Sequence, residues 1–376
     1  MKQALVFGGN SYEHEISIVS AIALKKVIKK ELAFIFLDEH GEFWEIEPSN
    51  MKSTYFSKRE YKKAKKLFLQ KGGFAKQSFF GMSEPQKYTV INLVHGGDGE
   101  DGKLAALFDF YGIPFVGPRV EASVMSINKL YTKSMASICG VKTVDYETIY
   151  KASRDSHKIA FSYPVIIKPA RLGSSIGVSV VKTQKELDYA LDVAFEFDDT
   201  VIVEPFIENV REFNVAGAGG VSGIIYSKVE EPKKEGYLDF EKKYLDFSRT
   251  GEVEAAGIDD GVAGALKDAF AKIYSFGFAG AIIRCDFFVV NGEVYLNEVN
   301  PIPGSLANYL FADFNGVLDE VIRSLPSPKK IKIDYKYINE IKSAKGKRKA
   351  PRQTFRCISR QLASRIRRME GRENHG

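Results

Sequence analysis

Arg284-Cys285-Asp286-Phe287-Phe288-Val289-Val290-Asn291-Gly292-Glu293-Val294-Tyr295-Leu296-Asn297-Glu298-Val299-Asn300-Pro301-Ile302-Pro303-Gly304 reads as a β-hairpin. Two runs rich in β-branched and aromatic residues flank Asn-Gly, the strongest short-range turn signal. Register decides what the hairpin can do, because side chains alternate faces with period two. A two-residue loop at Asn291 and Gly292 sets Asp286 opposite Asn297 and away from Glu298. A three-residue loop over 290–292, with Gly292 left-handed, gathers Arg284, Asp286, Glu298 and Asn300 on one face. We take the second register on chemical grounds: two carboxylates and an amide oxygen on one face are the hard oxygen donors that Mg²⁺ accepts beside substrate phosphates. A half-solvated hairpin with its polar residues toward water fits the same residues, so the metal reading needs support from elsewhere in the chain.

The 376 residues are 44% hydrophobic and 27% charged, a globular balance with length for two or three domains. No run of about 18 apolar residues occurs and the N-terminus reads as a strand rather than a leader, so no membrane association and a cytoplasmic location are expected. Cys139, Cys285 and Cys357 are far apart and match no metal spacing. The net charge of +6 invites a nucleic-acid reading, but its distribution argues against one. Residues 345–376 hold eleven Lys and Arg against two acids, leaving 43 basic and 46 acidic residues in the body. Nucleic-acid binding would rest on this basic tail alone, and residues 346–376 read as a disordered or appended extension.

From the N-terminus, a short apolar strand over 3–7 leads into Gly8-Gly9 and a helical pattern over 16–28, the order in which doubly wound α/β domains begin. The third glycine of a dinucleotide fingerprint is missing. Glu13 lies at the helix N-terminus, where the helix dipole favours a carboxylate whatever its function. The Lys-rich segment 58–71 reads as a solvated helix, and 89–94 as a strand delivering His95 to the crevice where such sheets bind ligands. Gly97 to Lys103 fits G-x-x-x-x-G-K. However, Leu104 stands where Ser or Thr should hold the metal and three acids sit in the loop, so a P-loop is rejected.

After a domain exit at 113–118 comes a helical stretch over 122–138 carrying Lys129 and Lys133 four residues apart. A strand ending at Lys168 then runs into Ala170-Arg171-Leu172-Gly173-Ser174-Ser175-Ile176-Gly177. This glycine-serine loop joins two strands and would fold over phosphates with its amides and hydroxyls; a plain hairpin loop is the alternative. Glu204, Phe206 and Glu212 are candidates to frame a base and ribose. The polar loop 239–246 has the length of loops that close over active sites.

Taken in order, Gly-Gly-x-Ser-x-Glu, His-Gly-x-x-Gly-Glu-Asp-Gly, Lys129, Lys168-Pro with Gly-Ser-Ser-x-Gly, Glu204, Lys243-Tyr244, Arg284-x-Asp286 and Glu298-x-Asn300 resemble the D-alanine:D-alanine ligase family of the ATP-grasp superfamily, over residues 3–325. The resemblance implies an N-terminal doubly wound α/β domain (1–118) followed by a two-part ATP-grasp fold, the central part at 119–204 and the C-terminal part at 205–345. It implies phosphorylation of one D-alanine carboxylate by ATP and attack by the amine of a second, in a homodimer. Glu13 would hold the first ammonium, joined with Ser174 and Tyr244 in a group orienting substrate and lid. His95 would lie near the first D-alanine. Lys129, Lys168, Ser175 and Lys243 would contact phosphates, and Glu204, Phe206 and Glu212 would frame adenosine. Asp286, Glu298 and Asn300 would hold two Mg²⁺, with Mn²⁺ an alternative, and Arg284 with the amide of Gly304 would stabilise the oxyanion. After Gly304 the family shows Met or Phe, Thr and a Ser that binds the second substrate's carboxylate. Here the chain reads Ser305-Leu306-Ala307-Asn308-Tyr309, which makes Ser305 and Asn308 the candidate substitutes. Another ATP-grasp carboxylate:amine ligase with a different second substrate is the alternative.

Overall fold

The computed structural model describes residues 1–232, 256–327 and 331–345. The chain divides into one unit over residues 1–326 and a second over 327–376.

The first unit contains three sheets. In the first, β1 (Lys2–Gly8) pairs in parallel with β2 (Leu32–Leu37) on one side and β7 (Tyr88–Asn92) on the other, and β7 pairs in parallel with β8 (Phe115–Val116). Ala-Leu-Val-Phe at the centre of β1 is buried throughout because both faces are covered. Leu5 and Phe7 join the cluster of helix His14–Val27, while Ala4 and Val6 join that of helix Lys103–Tyr111. Helices on both faces of a parallel sheet are the doubly wound arrangement.

Antiparallel strands β3 (Phe43–Ile46), β4 (Lys65–Gln70), β5 (Gly73–Ser78) and β6 (Gly81–Met82) extend this sheet to eight. β4 corrects the helix expected over 58–71. Only 60–63 forms a 3-10 turn, and Lys65–Gln70 is a strand with Leu67 buried. The sequence pairs Gln70 with Gly73 across a tight turn in which Gly72 is left-handed, and the lysines lie along the strand where their charged ends reach solvent.

The second sheet is antiparallel: β10 (Glu147–Tyr150), β13 (Thr200–Pro205), β11 (Val165–Pro169) and β12 (Ser179–Val181), backed by helix Gln184–Phe195. The glycine-serine loop connects β11 to β12. The third sheet runs β15 (Gly223–Glu230), β14 (Arg211–Gly220), β16 (Ile282–Val290), β17 (Glu293–Asn300) and β9 (Lys142–Thr143).

The stretch expected as one helix over 122–138 is two, Val120–Ile127 and Lys129–Ile138. Asn128 leaves the helical conformation and its side chain caps the second helix by accepting from the Leu130 amide, an N-cap that starts a helix anew. Ala122, Met135, Ala136 and Val141 pack in the core beneath the third sheet, beside helix Asp260–Gly277.

The β16–β17 hairpin brings the expected residues face to face by a different route. Val290 pairs with Glu293, so the loop is the two-residue Asn291-Gly292, both left-handed, as a type I′ turn requires. That register alone would set Asp286 opposite Asn297. A β-bulge at Asn297 absorbs one residue, after which Asp286 pairs with Glu298 and Arg284 with Asn300.

In the second unit, residues Lys336–Lys345 form a helix on which Tyr337, Ile338 and Ile341 are exposed.

Candidate active site

The hairpin face carries the densest chemistry. Arg284 clamps Asp286 with both arms of its guanidinium, at 2.7 and 2.8 Å, and the Asn300 amide donates to the same carboxylate at 3.1 Å. Burial pushes the Asp286 carboxyl above its ordinary range even with Arg284 beside it, and Glu298 adds to the push.

A buried cluster of three charges lies at the central sheet. Lys168, the penultimate residue of β11, donates to Glu204 Oε2 at 2.6 Å, and Lys133 reaches Glu204 Oε1 at 2.7 Å. Burial alone would raise the Glu204 carboxyl, but the two ammoniums hold it down at about 2. Lys168 also reaches the bulge residue Asn297 at 3.3 Å. Lys129 is anchored at both ends to the glycine-serine loop: its amide donates to the Ala170 carbonyl and its ammonium to the Leu172 carbonyl. Burial lowers the pKa of Lys129, a group with Glu298, Lys168 and Glu204 in its field.

The N-terminal domain supplies Glu13, whose carboxylate accepts from the Ser174 hydroxyl across 161 residues of chain. Its cradle is built of backbone. A Cβ at Gly96, where φ is +62°, would come within 2.6 Å of Glu13, and one at Gly173 within 3.3 Å. Ser174 and Ser175 are themselves left-handed, so the loop tip holds strain of about 1 kcal/mol or more per residue. Burial, then the nearby Glu100, raises the Glu13 carboxyl.

His95 is buried, and its Nε2 lies 3.0 Å from Ser20 Oγ, which in turn accepts from the Ser305 amide at 3.0 Å. Desolvation depresses this imidazole to about 4, so it is neutral near pH 7. Gly304, Ser305 and Asn308 are buried at the segment after β17. Ser305, Leu306 and Ala307 have φ of +48°, +50° and +50°, three successive left-handed residues. Asn308 turns its amide back onto the Ser305 carbonyl at 3.0 Å.

Glu100, Lys129, Leu172, Gly173, Glu298 and Asn300 line one crevice, so the N-terminal domain, the loop and the hairpin meet there. Glu212, on β14 opposite Phe288, and Phe206 are half-buried. Lys243, Tyr244 and the loop 239–246 lie outside the described residues, as do Cys357 and the tail 346–376. The rejected P-loop holds no free cation, because Lys103 is paired with Asp98 at 2.9 Å and Asp101 at 2.6 Å.

Three functional candidates escaped the sequence reading. Glu100 is half-buried and pushed up to about 8, first by desolvation and further by Glu298, a shift typical of functional carboxyls. It lies within the His-Gly-x-x-Gly-Glu-Asp-Gly motif, but no role is read for it there, because Glu298, which also acts on it, comes from a distant segment. Ser20 is one of several small residues on its helix. Lys133 stood out only through its spacing from Lys129.

An antiparallel sheet presenting Lys168, a neighbouring helix presenting Lys129 and Lys133, and a second, mainly antiparallel sheet presenting the acid hairpin define an ATP-grasp fold. Residues 2–118 match the family model described as D-ala D-ala ligase N-terminus, and residues 135–314 the one described as D-ala D-ala ligase C-terminus. A D-alanine:D-alanine ligase of Helicobacter hepaticus is 54% identical over 352 residues, covering 92% of this chain and 100% of the relative. One from a Nitratiruptor species is 56% identical over 345 residues, with the same coverage. Among solved structures, the D-alanine-D-alanine ligase of Helicobacter pylori superposes with a TM-score of 0.79 at 49% identity, covering 88% of this chain and all of that one. The VanG D-Ala:D-Ser ligase of Enterococcus faecalis gives 0.70 at 27%, covering 86% of this chain and 98% of that one. This chain belongs to the D-alanine:D-alanine ligase family.

Proposed function

We propose that this protein joins two D-alanines at the expense of ATP, supplying the dipeptide for peptidoglycan precursors. The observation that carries the reading is the bulged hairpin, which sets Arg284, Asp286, Glu298 and Asn300 on one face, with Glu298 and Asn300 lining a crevice shared with Lys129.

In the first step a carboxylate oxygen of the first D-alanine attacks the γ-phosphorus of ATP. An O–P bond forms, the bond to ADP breaks, and an acyl phosphate results. In the second, the uncharged amine of the second D-alanine attacks the acyl carbon, the C–N bond forms, the C–O bond breaks with its electron pair leaving on phosphate, and the nitrogen gives up one proton. Glu13, fixed by Ser174, binds the first ammonium, and neutral His95 lies beside that substrate as an uncharged hydrogen-bonding group. Lys129, Lys168, Ser175 and Lys243 hold phosphates; Glu204, Phe206 and Glu212 frame adenosine. Arg284 and the Gly304 amide face the oxyanion that develops at the acyl carbon, the task preorganised donors perform best. Tyr244 joins Glu13 and Ser174 in orienting the lid.

Asp286, Glu298 and Asn300 fit a divalent cation by the chemistry of their donors, two carboxylates and an amide oxygen gathered on one hairpin face. They would hold two Mg²⁺, or Mn²⁺ in their place, whose contribution is to offset the negative charge on phosphate oxygens. The division into 1–118, 119–204 and 205–345, a homodimeric state and a cytoplasmic location complete the reading. Among the described residues no helix is long and apolar enough to cross a membrane.

The altered segment after Gly304 favours one second reading, a different acceptor in the same chemistry. Phosphate release with D-alanine as sole amino acid, with the product identified by mass, tests the first reading. Release only with another amine or hydroxy acid establishes the second.

A further inference from the structure

Lys133 has no part in the roles above, yet it is among the most buried charges in the first unit: its side chain is 4% exposed. It donates to the Val144 carbonyl at 2.8 Å and lies over the Tyr146 ring at 5.0 Å, so the helix, the chain after β9 and the ring fix its ammonium in place. Its remaining partner is Glu204, whose second oxygen is held by Lys168. One carboxylate is thus shared by two ammoniums with different freedom. Lys133 is tied on three sides. Lys168 has Glu204 and, at 3.3 Å, the bulge residue Asn297, and it stands at the end of β11 where the glycine-serine loop begins.

We propose that Lys133 is a positioning residue that neutralises Glu204 so that Lys168 is free to move onto the phosphates of ATP. This rests on the reading that Lys168 binds phosphate. With both lysines present the cluster carries one surplus positive charge, and Lys168 can leave Glu204 without stranding a buried anion. Without Lys133, Lys168 and Glu204 form a one-to-one buried pair, and pulling Lys168 away would leave the carboxylate desolvated and unpaired, which is costly. Lys133 therefore controls affinity for the phosphate chain without touching it.

The test measures Kd for ATP and for adenosine, which lacks phosphates, on the full-length protein and the variants Lys133→Met, Lys168→Met, Glu204→Gln and Lys133→Met/Glu204→Gln, with thermal unfolding of each as a check of folding. Lys133→Met should weaken ATP roughly ten- to hundredfold, the worth of one charge-assisted hydrogen bond. Adenosine should change by less than about threefold on the same scale. Measured against Glu204→Gln alone, so that any lost adenosine contact cancels, Lys133→Met should cost little further ATP affinity, a recovery of most of its loss, because a neutral amide no longer captures Lys168. Equal weakening of ATP and adenosine, no weakening of either, or no recovery in the double variant would overturn the proposal and leave Lys133 a structural residue. Should Lys168→Met bind ATP as the parent does, the phosphate role of Lys168 falls, and the proposal with it. A Lys168→Met that loses ATP while Lys133→Met does not refutes the proposal alone.

Discussion

Replacing His95 with Gln should remove a specific part of the acid sensitivity of this fold. The folded imidazole titrates at about 4, against an ordinary 6.5, because it is buried. Between those values the unfolded chain binds a proton that the folded chain does not. Stability therefore falls as pH falls, beginning near the unfolded value and complete near the folded one. At about 1.4 kcal/mol per unit of pKa difference, the parent should lose about 2 kcal/mol between about pH 7 and pH 5 through this group. Groups common to both proteins cancel when the two are compared. Glutamine retains a polar tip for Ser20 Oγ, now 3.0 Å from the ring nitrogen, but has no proton to bind. Urea unfolding of parent and variant across that range should give curves whose difference closes by about 2 kcal/mol toward the acid end. Parallel curves would show that His95 is protonated in the folded state as readily as in the unfolded one, and the account of it as a neutral buried group would be wrong.

Glu298→Gln should abolish Mg²⁺-dependent turnover while leaving the thermal unfolding midpoint nearly unchanged, and full activity would remove Glu298 from the metal site. Ser174→Ala leaves the Glu13 carboxylate without its hydroxyl donor, so KM for the first D-alanine should rise by roughly tenfold, the worth of about 1.4 kcal/mol; an unchanged KM would contradict the link between loop and substrate. Ala307→Gly trades a buried methyl for relief of a left-handed backbone, two effects of about 1 kcal/mol each and opposite sign. It should be nearly neutral in urea unfolding, whereas Ala216→Gly in β14 has no such relief and should cost about 1 kcal/mol or more. Removing residues 346–376 should leave turnover unchanged in the phosphate-release assay, and a large loss would give the basic tail a role in catalysis.

The hairpin shows both the reach and the limit of reading the sequence alone. Chemistry required Asp286 and Glu298 on one face, and that face formed. The loop length was inferred wrongly because alternation fixes faces only if every residue of both strands is paired, and nothing in Leu296-Asn297-Glu298 announces a bulge. β4 was misread for a related reason: lysines at both ends of 58–71 mask a short strand whose identity is set by its partners β3 and β5. The glycine-serine loop between two strands was legible because glycine, serine and the flanking β-branched residues are local signals. Glu100 stood inside the His-Gly-x-x-Gly-Glu-Asp-Gly motif, but its role was not legible there. Its raised pKa arises from burial and from Glu298, almost two hundred positions away along the chain. Lys133 likewise acquires meaning only when the second helix and β13 place its ammonium against Glu204.

ATP-dependent phosphate release in the presence of Mg²⁺, with D-alanine, L-alanine, or D-alanine plus D-lactate, measures the central claim directly when products are identified by mass. The account predicts D-alanyl-D-alanine and one phosphate per dipeptide with D-alanine, and no product from the L-isomer. Release that requires a different acceptor, or none with any of the three, would contradict it.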